Sequence, residues 1–214
     1  MKTIYFIRHG QSHANASLIR QQTGDTELTP HGMAQAREVA QHLKPLPIEA
    51  IISSTFKRAK ATAGELAAVK NLPVEHVELF IERRRPGTQL RRRKVHPRWL
   101  WTQFQLALFS RRAGYRHSDE ETADDLLKRA HEALAFLAAR PEETIAVVTH
   151  GTFMRSLHAA MTLGEGVTGR AYLAATRHMR IRNTALMVAT YDEGVWNVTL
   201  WNADATAVRV VPDQ

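Results

Sequence analysis

Two histidines in the chain stand directly after an apolar run and directly before a glycine. They are His9 in Ile4-Tyr5-Phe6-Ile7-Arg8-His9-Gly10 and His150 in Ile145-Ala146-Val147-Val148-Thr149-His150-Gly151. An imidazole so placed can serve as nucleophile, proton shuttle or metal ligand. Arg8 and Arg58 bear on the choice: Arg8 adjoins His9, and Arg58 lies just past a third apolar run, Ala50-Ile51-Ile52-Ser53-Ser54. A metal centre built from His9, His13 and His150 would meet repulsion from both guanidiniums, and no Asp or Glu stands at these run ends to neutralise a divalent cation. An anion, by contrast, offsets the charge of the same groups. Arginine's planar fork matches phosphate oxygens, stays charged, and stabilises the charge that develops on them during transfer. The expectation is a phosphoryl-transfer site with no metal and no cofactor. Arg-His-Gly alone is a common tripeptide, so the reading rests on three run ends together.

Those side chains meet only if the runs are strands of one sheet whose carboxyl ends share an edge. Residues 4–7 predict the first strand; Thr29 then caps and Pro30 opens a helix with Met33, Ala36, Ala40 and Leu43 on its apolar face. Residues 50–54 predict a second buried strand, the alanine-rich stretch 57–70 a helix, and 74–77 a short further strand. A long amphipathic helix fits 122–140, where Leu126, Leu127, Ala130, Leu134 and Leu137 keep helical spacing. Residues 145–149 read as a central parallel strand, and a helix carrying Phe153, Met154, Leu157 and Met161 follows. Residues 185–191 and 195–201, separated by Asp192-Glu193-Gly194, predict an antiparallel hairpin. The fold class is therefore α/β: a three-layer α/β/α domain with a mostly parallel central sheet and an antiparallel C-terminal edge. Ligands of such sheets bind beyond the carboxyl ends of the strands, where Arg8-His9-Gly10, Arg58 and His150-Gly151 fall.

At 214 residues, 44% hydrophobic and 23% charged, the chain reads as one domain over 1–214. No apolar run is long enough to span a membrane, and Arg8 cuts short the N-terminal one, so neither a spanning helix nor a signal peptide is expected and the location is expected to be cytoplasmic. The absence of cysteine excludes disulfides, thiol catalysis and thiolate zinc sites. The net charge of +8 is local: eleven Lys and Arg and no acid lie within 83–117, while the rest of the chain carries more acids than bases.

Phe6-Ile7-Arg8-His9-Gly10-Gln11-Ser12-His13-Ala14-Asn15 resembles the opening motif of the phosphoglycerate mutase-like branch of the histidine phosphatases, branch 1. Leu28-Thr29-Pro30-His31-Gly32-Met33-Ala34-Gln35-Ala36 is similar to the family's helix start, and Ser53-Ser54-Thr55-Phe56-Lys57-Arg58-Ala59-Lys60-Ala61-Thr62-Ala63 to its arginine segment. Leu79-Phe80-Ile81-Glu82 corresponds to the stretch carrying its acid, Val147-Val148-Thr149-His150-Gly151 to its second histidine motif, and Asn183 with the hairpin to its ending. The resemblance implies that His9 attacks phosphorus in line and becomes a phosphohistidine, which water then hydrolyses. It implies that Arg8, Arg58, His150 and Gly151 hold the transferring group, that Asn15 donates a further hydrogen bond, and that Glu82 protonates the leaving alkoxide. Asp119-Glu120-Glu121 offers a rival donor; its simpler reading is the charged start of a helix. Thr23-Gly24 aligns with a substrate-contacting pair of the mutases.

His150 is followed by Gly and not Asp, and Arg8-His9-Gly10 lacks the "R.P" continuation, which separates the chain from the acid phosphatase and phytase branch. Arg83-Arg84-Arg85-Pro86-Gly87 does not resemble the "RHYG" of true phosphoglycerate mutases. The expected activity is thus a phosphatase acting on a small phosphorylated substrate. The alternatives are mutase-type transfer and a catalytically weak polyanion- or protein-binding module on the same fold. The insertion at about 83–120 interleaves its basic residues with Trp99, Leu100, Trp101, Phe104, Leu106, Leu108 and Phe109. It reads as a cap whose apolar residues form a helix after Pro97 packing on the domain, with a basic face that steers anions toward His9. Nucleic acid is not the expected partner, because no nucleic-acid module surrounds these residues; apolar residues left exposed there would serve a homodimer.

Overall fold

The computed structural model describes residues 1–17, 23–86, 96–109, 119–164 and 166–208. Their strands are β1 (Lys2–Arg8), β2 (Ala50–Ser53), β3 (Val74–His76), β4 (Thr144–Thr149), β5 (Leu186–Asp192) and β6 (Val195–Ala203). The helices are α1 (His13–Ala16), α2 (Pro30–Leu43), α3 (Lys57–Lys70), α4 (Pro97–Phe109), α5 (Ala123–Ala138), α6 (Gly151–Leu163) and α7 (Gly169–Thr176), with short 3-10 turns at Glu78–Phe80 and Ala205–Ala207.

All six strands form one sheet in the order β3-β2-β4-β1-β5-β6. The first four run parallel, while β5 is antiparallel to both β1 and β6, so the hairpin forms the antiparallel edge. Side chains alternate across the sheet and both faces are covered, which is why the central strands read as unbroken apolar runs. Ile4, Phe6, Ile52, Ile145 and Val147 pack against α5 and α6 on one face. Tyr5, Ile7, Ile51, Ala146 and Val148 pack against α2 and α3 on the other. This is the three-layer arrangement expected from the alternation of elements.

Local signals set several helix starts. The Thr29 hydroxyl accepts from Gly32 N with Pro30 at the first helical position, and Thr122 forms a reciprocal capping box with Asp125, a contact of about 1 kcal/mol. Two expectations require correction. Glu120 and Glu121 are not the solvated start of α5: both are buried, and the acids in its first turn are Asp124 and Asp125. A helix does follow Pro97, but Leu100, Trp101, Phe104 and Leu108 do not pack on the domain, each being at least 52% exposed. They share one face of α4, whereas Thr102, roughly opposite, is buried. The rest of the basic insertion, including Gly87, Arg91 to Lys94, Arg111, Arg112, Arg116 and His117, lies outside the described residues.

Candidate active site

Arg8 on β1 stands in register with Thr149 on β4, so His9 and His150 leave adjacent parallel strands at the same level. Their ring centroids lie 5.1 Å apart. The neighbouring strand β2 supplies Ser54, whose Oγ is 2.8 Å from His150 Nε2. Arg58 follows in the first turn of α3 and is 1% exposed. Adjacent strand ends thus account for the convergence of three segments far apart in sequence.

The hydrogen bonds assign His9 its tautomer. Nδ1 lies 2.7 Å from the Gly10 carbonyl, which can only accept, so Nδ1 carries the proton; Nε2 accepts from Arg58 Nε at 3.1 Å. The lone pair is therefore on Nε2. Burial first, and then the charges of Arg58 and Arg8, hold the His9 pKa well below its ordinary 6.5, outweighing the opposing Gly10 carbonyl. His150 is lowered likewise, by burial first and then by Arg58, His9, Arg8 and Arg129. Both rings are neutral near pH 7. Ser54 Oγ also accepts from Phe56 N; with the hydroxyl proton given to His150 Nε2, the His150 proton sits on Nδ1. Among the described residues that Nδ1 and the Nε of Arg8 are buried without a hydrogen-bond partner. Leaving such a donor unmet costs about 1–3 kcal/mol, a cost that a ligand rich in acceptors would relieve.

Burial lowers Arg58 to about 10, with Glu82 opposing the shift and Arg8 and Arg85 adding to it, so the guanidinium stays charged across the neutral range. Its Nη1 donates to the Thr23 carbonyl at 2.7 Å, and its charged end lies over the Phe56 ring. Arg8 Nη1 bonds to the Ile181 carbonyl. A Cβ on Gly151 would stand 3.3 Å from Arg8 Nε, so glycine there leaves the guanidinium room. The loop after His9 is locked in the same manner: a Cβ on Gly10 would lie 2.3 Å from the Gly32 carbonyl oxygen.

Asn15 is exposed on α1 and its Oδ1 accepts from Ser12 Oγ at 2.9 Å. Asn183 links it to the nucleophile, donating to both Asn15 Oδ1 and the His9 carbonyl. His13 is exposed on the same short helix, and among the described residues no group of three His, Asp or Glu is arranged to hold a metal ion. Thr23, Gly24, Phe56, Arg58, Glu82, Arg85 and Asp119 are among the residues lining a cavity of about 250 Å³. Both expected acid donors therefore border one space.

Among the described residues Glu82 is held by backbone amides. Its Oε1 accepts from Phe153 N at 3.2 Å and Arg83 N at 2.9 Å, and its Oε2 from Thr152 N at 3.2 Å. His150 provides no side-chain cap for α6, so Glu82 meets the helix's unpaired amides from another segment. Arg129, which drew no notice in the sequence, fixes this segment. From α5 it donates to the carbonyls of Leu79 and Ile81, and it clasps Glu121 through Nε and Nη2 at 2.7 and 2.8 Å. Its signal was a charge on the apolar stripe, between Leu126 and Ala133. Phe56 was likewise missed as a site residue, and its ring lies 5.2 Å from that of His150.

The architecture first defines the class. The fold is phosphoglycerate mutase-like: the solved structure of Bacillus stearothermophilus YhfR superposes with a TM-score of 0.80 at 22% identity, covering 95% of this chain and 98% of that one. The profile of the histidine phosphatase superfamily (branch 1) matches residues 4–204, and the chain belongs to that family, as a phosphatase-class enzyme. A probable phosphatase of Schizosaccharomyces pombe is 31% identical over 71% of this chain, a match spanning 54% of the relative's own length. A probable phosphoglycerate mutase, GpmB, of Salmonella arizonae is 26% identical over 94% of this chain and 90% of that protein. No helix among the described residues is long and apolar enough to cross a membrane.

Proposed function

We propose that the protein hydrolyses phosphate monoesters of small molecules through a phosphohistidine on His9, without a metal ion. The observation that carries this reading is the state of His9: buried, neutral, its proton held by Gly10 and its Nε2 lone pair facing a guanidinium. Nε2 forms a bond to phosphorus as the ester P–O bond breaks, and Arg8, Arg58 and His150 Nδ1 stabilise the charge on the non-bridging oxygens. Asn15 supplies a further hydrogen bond. Gly151, Thr23 and Gly24 shape the pocket, and Glu82 delivers the proton to the leaving alkoxide. Water then attacks the phosphohistidine, releasing inorganic phosphate and restoring the imidazole. With both oxygens of Glu82 accepting, it must hold a proton from solvent or substrate before it can donate one. The whole chain acts as one domain, with residues of about 83–120 as its basic cap.

The test is turnover of p-nitrophenyl phosphate in EDTA by the wild type and His9→Ala, together with trapping of an acid-labile, base-stable phosphoenzyme. Turnover and trapping only with His9 present are expected. Full activity of His9→Ala overturns the nucleophile, and loss of activity in EDTA overturns metal independence. The GpmB similarity favours a second reading, transfer of the phosphoryl group back to a substrate hydroxyl. Supplying 3-phosphoglycerate separates the two, since a mutase yields 2-phosphoglycerate and a phosphatase yields free phosphate.

A further inference from the structure

Beyond the Glu82-Arg83 segment lies a second cavity, of about 460 Å³, that hydrolysis of a simple monoester does not use. Among the described residues four arginines line it, Arg83, Arg155, Arg170 and Arg177, and no Asp or Glu. Two come from α7 and its C-cap, where Arg170, Leu173, Ala174 and the capping Arg177 follow the i, i+3, i+4, i+7 pattern. The helix is held in place at both ends. Gly169 N donates to Asp124 Oδ1 at 2.6 Å, Tyr172 and Ser156 share a hydroxyl bond of 2.8 Å, and Arg155 Nη1 reaches the carbonyls of Thr176 and Met179 at 3.4 Å.

Among the described residues no carboxylate forms an ion pair with any of the four. Arg83 Nε donates to the Glu121 carbonyl, and Arg155 bonds to carbonyls and the Thr152 hydroxyl, partners that order the side chains without neutralising them. Like charges gathered in a concave space focus a positive potential, and an anion with planar or tetrahedral oxygens offsets it. Arg83 also lines the cavity bordered by Arg58 and Glu82, and Thr152, which lines this one, holds Glu82 through its amide. The two cavities share a wall.

We propose that the arginine-lined cavity receives a second phosphate of the substrate, making the protein selective for bisphosphorylated small molecules over monophosphates. This rests on the reading of the His9 site as a phosphatase centre. The test compares linear alkanediol bisphosphates of three to six carbons with the matching monophosphates, in the wild type and in Arg170→Ser/Arg177→Ser. At least one bisphosphate is expected to exceed its monophosphate in kcat/KM by about ten-fold, and the double substitution to erase that advantage while monophosphate turnover stays within about two-fold. Equal kcat/KM for every pair, or an advantage that survives the substitutions, overturns the subsite. Absence of any hydrolysis overturns the phosphatase reading instead. Calorimetric titration of the same pairs then decides the subsite: about ten-fold tighter bisphosphate binding, lost in the double variant, supports it, and equal affinity refutes it.

Discussion

Arg58 donates its Nε–H to Nε2 of His9 at 3.1 Å, so the guanidinium proposed to neutralise a transferring phosphoryl also rests on the lone pair proposed to attack it. In the proposed reaction the substrate's oxygens take over that donor and release Nε2. Arg58→Ala is expected to lower kcat by about 100- to 1000-fold, the range for losing one charge-stabilising donor. Arg58→Lys should recover part of this, since it restores charge without the fork. Rapid-quench measurement of phosphoenzyme formation checks both; an unchanged rate in Arg58→Ala would remove Arg58 from the reaction.

Glu82→Gln separates its two roles by leaving group. The proton matters for an alkoxide and not for p-nitrophenolate, which leaves as a stable anion, so alkyl phosphate turnover should fall about 100-fold or more while p-nitrophenyl phosphate is much less affected. Equal losses on both would indicate only a damaged α6 cap. If Asp119→Asn instead shows the selective loss, the acid is Asp119, which borders the same cavity.

Arg129 and Glu121 form a buried, two-pronged pair, each less than a tenth exposed. Arg129→Leu should cost about 3–5 kcal/mol by stranding the Glu121 charge, and Arg129→Leu/Glu121→Leu should recover much of it. Urea denaturation measures this. Because Arg129 holds the carbonyls on both sides of Phe80, even the stable double variant should show the leaving-group selectivity expected of Glu82→Gln.

His9 and His150 impose a pH dependence on stability. Their native pKa values lie well below 6.5 through burial, so between those values and 6.5 the unfolded chain binds the additional protons. Stability then falls as pH drops below 6.5, by up to about 1.4 kcal/mol per unit for each ring, and is fully present above it. Glu142, lowered from 4.5 by its bond to Arg140, adds its own loss only below 4.5. Denaturation between pH 7.5 and 5 should therefore show a slope that His150→Asn makes shallower. An identical slope in that variant would sink the assignment.

The α3 boundaries, the Thr29 cap and the hairpin were legible because each depends on residues within a turn of one another. The candidate site was legible in its types: Arg8, His9 and His150 sit at run ends, Arg58 follows just past one, and parallel strands bring run ends together. Which nitrogen of His9 is free was not, since Gly10 and Arg58 decide it through geometry. Glu82 was legible as an acid but not as the cap of α6, because its amide partners lie about seventy positions further along. Arg129 escaped notice for the same reason: a charge on an apolar stripe declares a partner but does not name it.

The sheet order places β4 between β1 and β2, so the strands bearing His9 and leading to Arg58 never touch. A growing polypeptide that has left the ribosome through residue 140 already contains His9, Arg58 and Glu82, yet has nothing to bridge them. Only when residues 144–149 slot between the two earlier strands does His9 gain its neighbours, and β5 must then seal its other side. Such long-range pairing is slow to form and exposes strand edges while it waits. Reactivity therefore emerges late in synthesis, and a chain stopped before β4 would be inert however much of the machinery it carried.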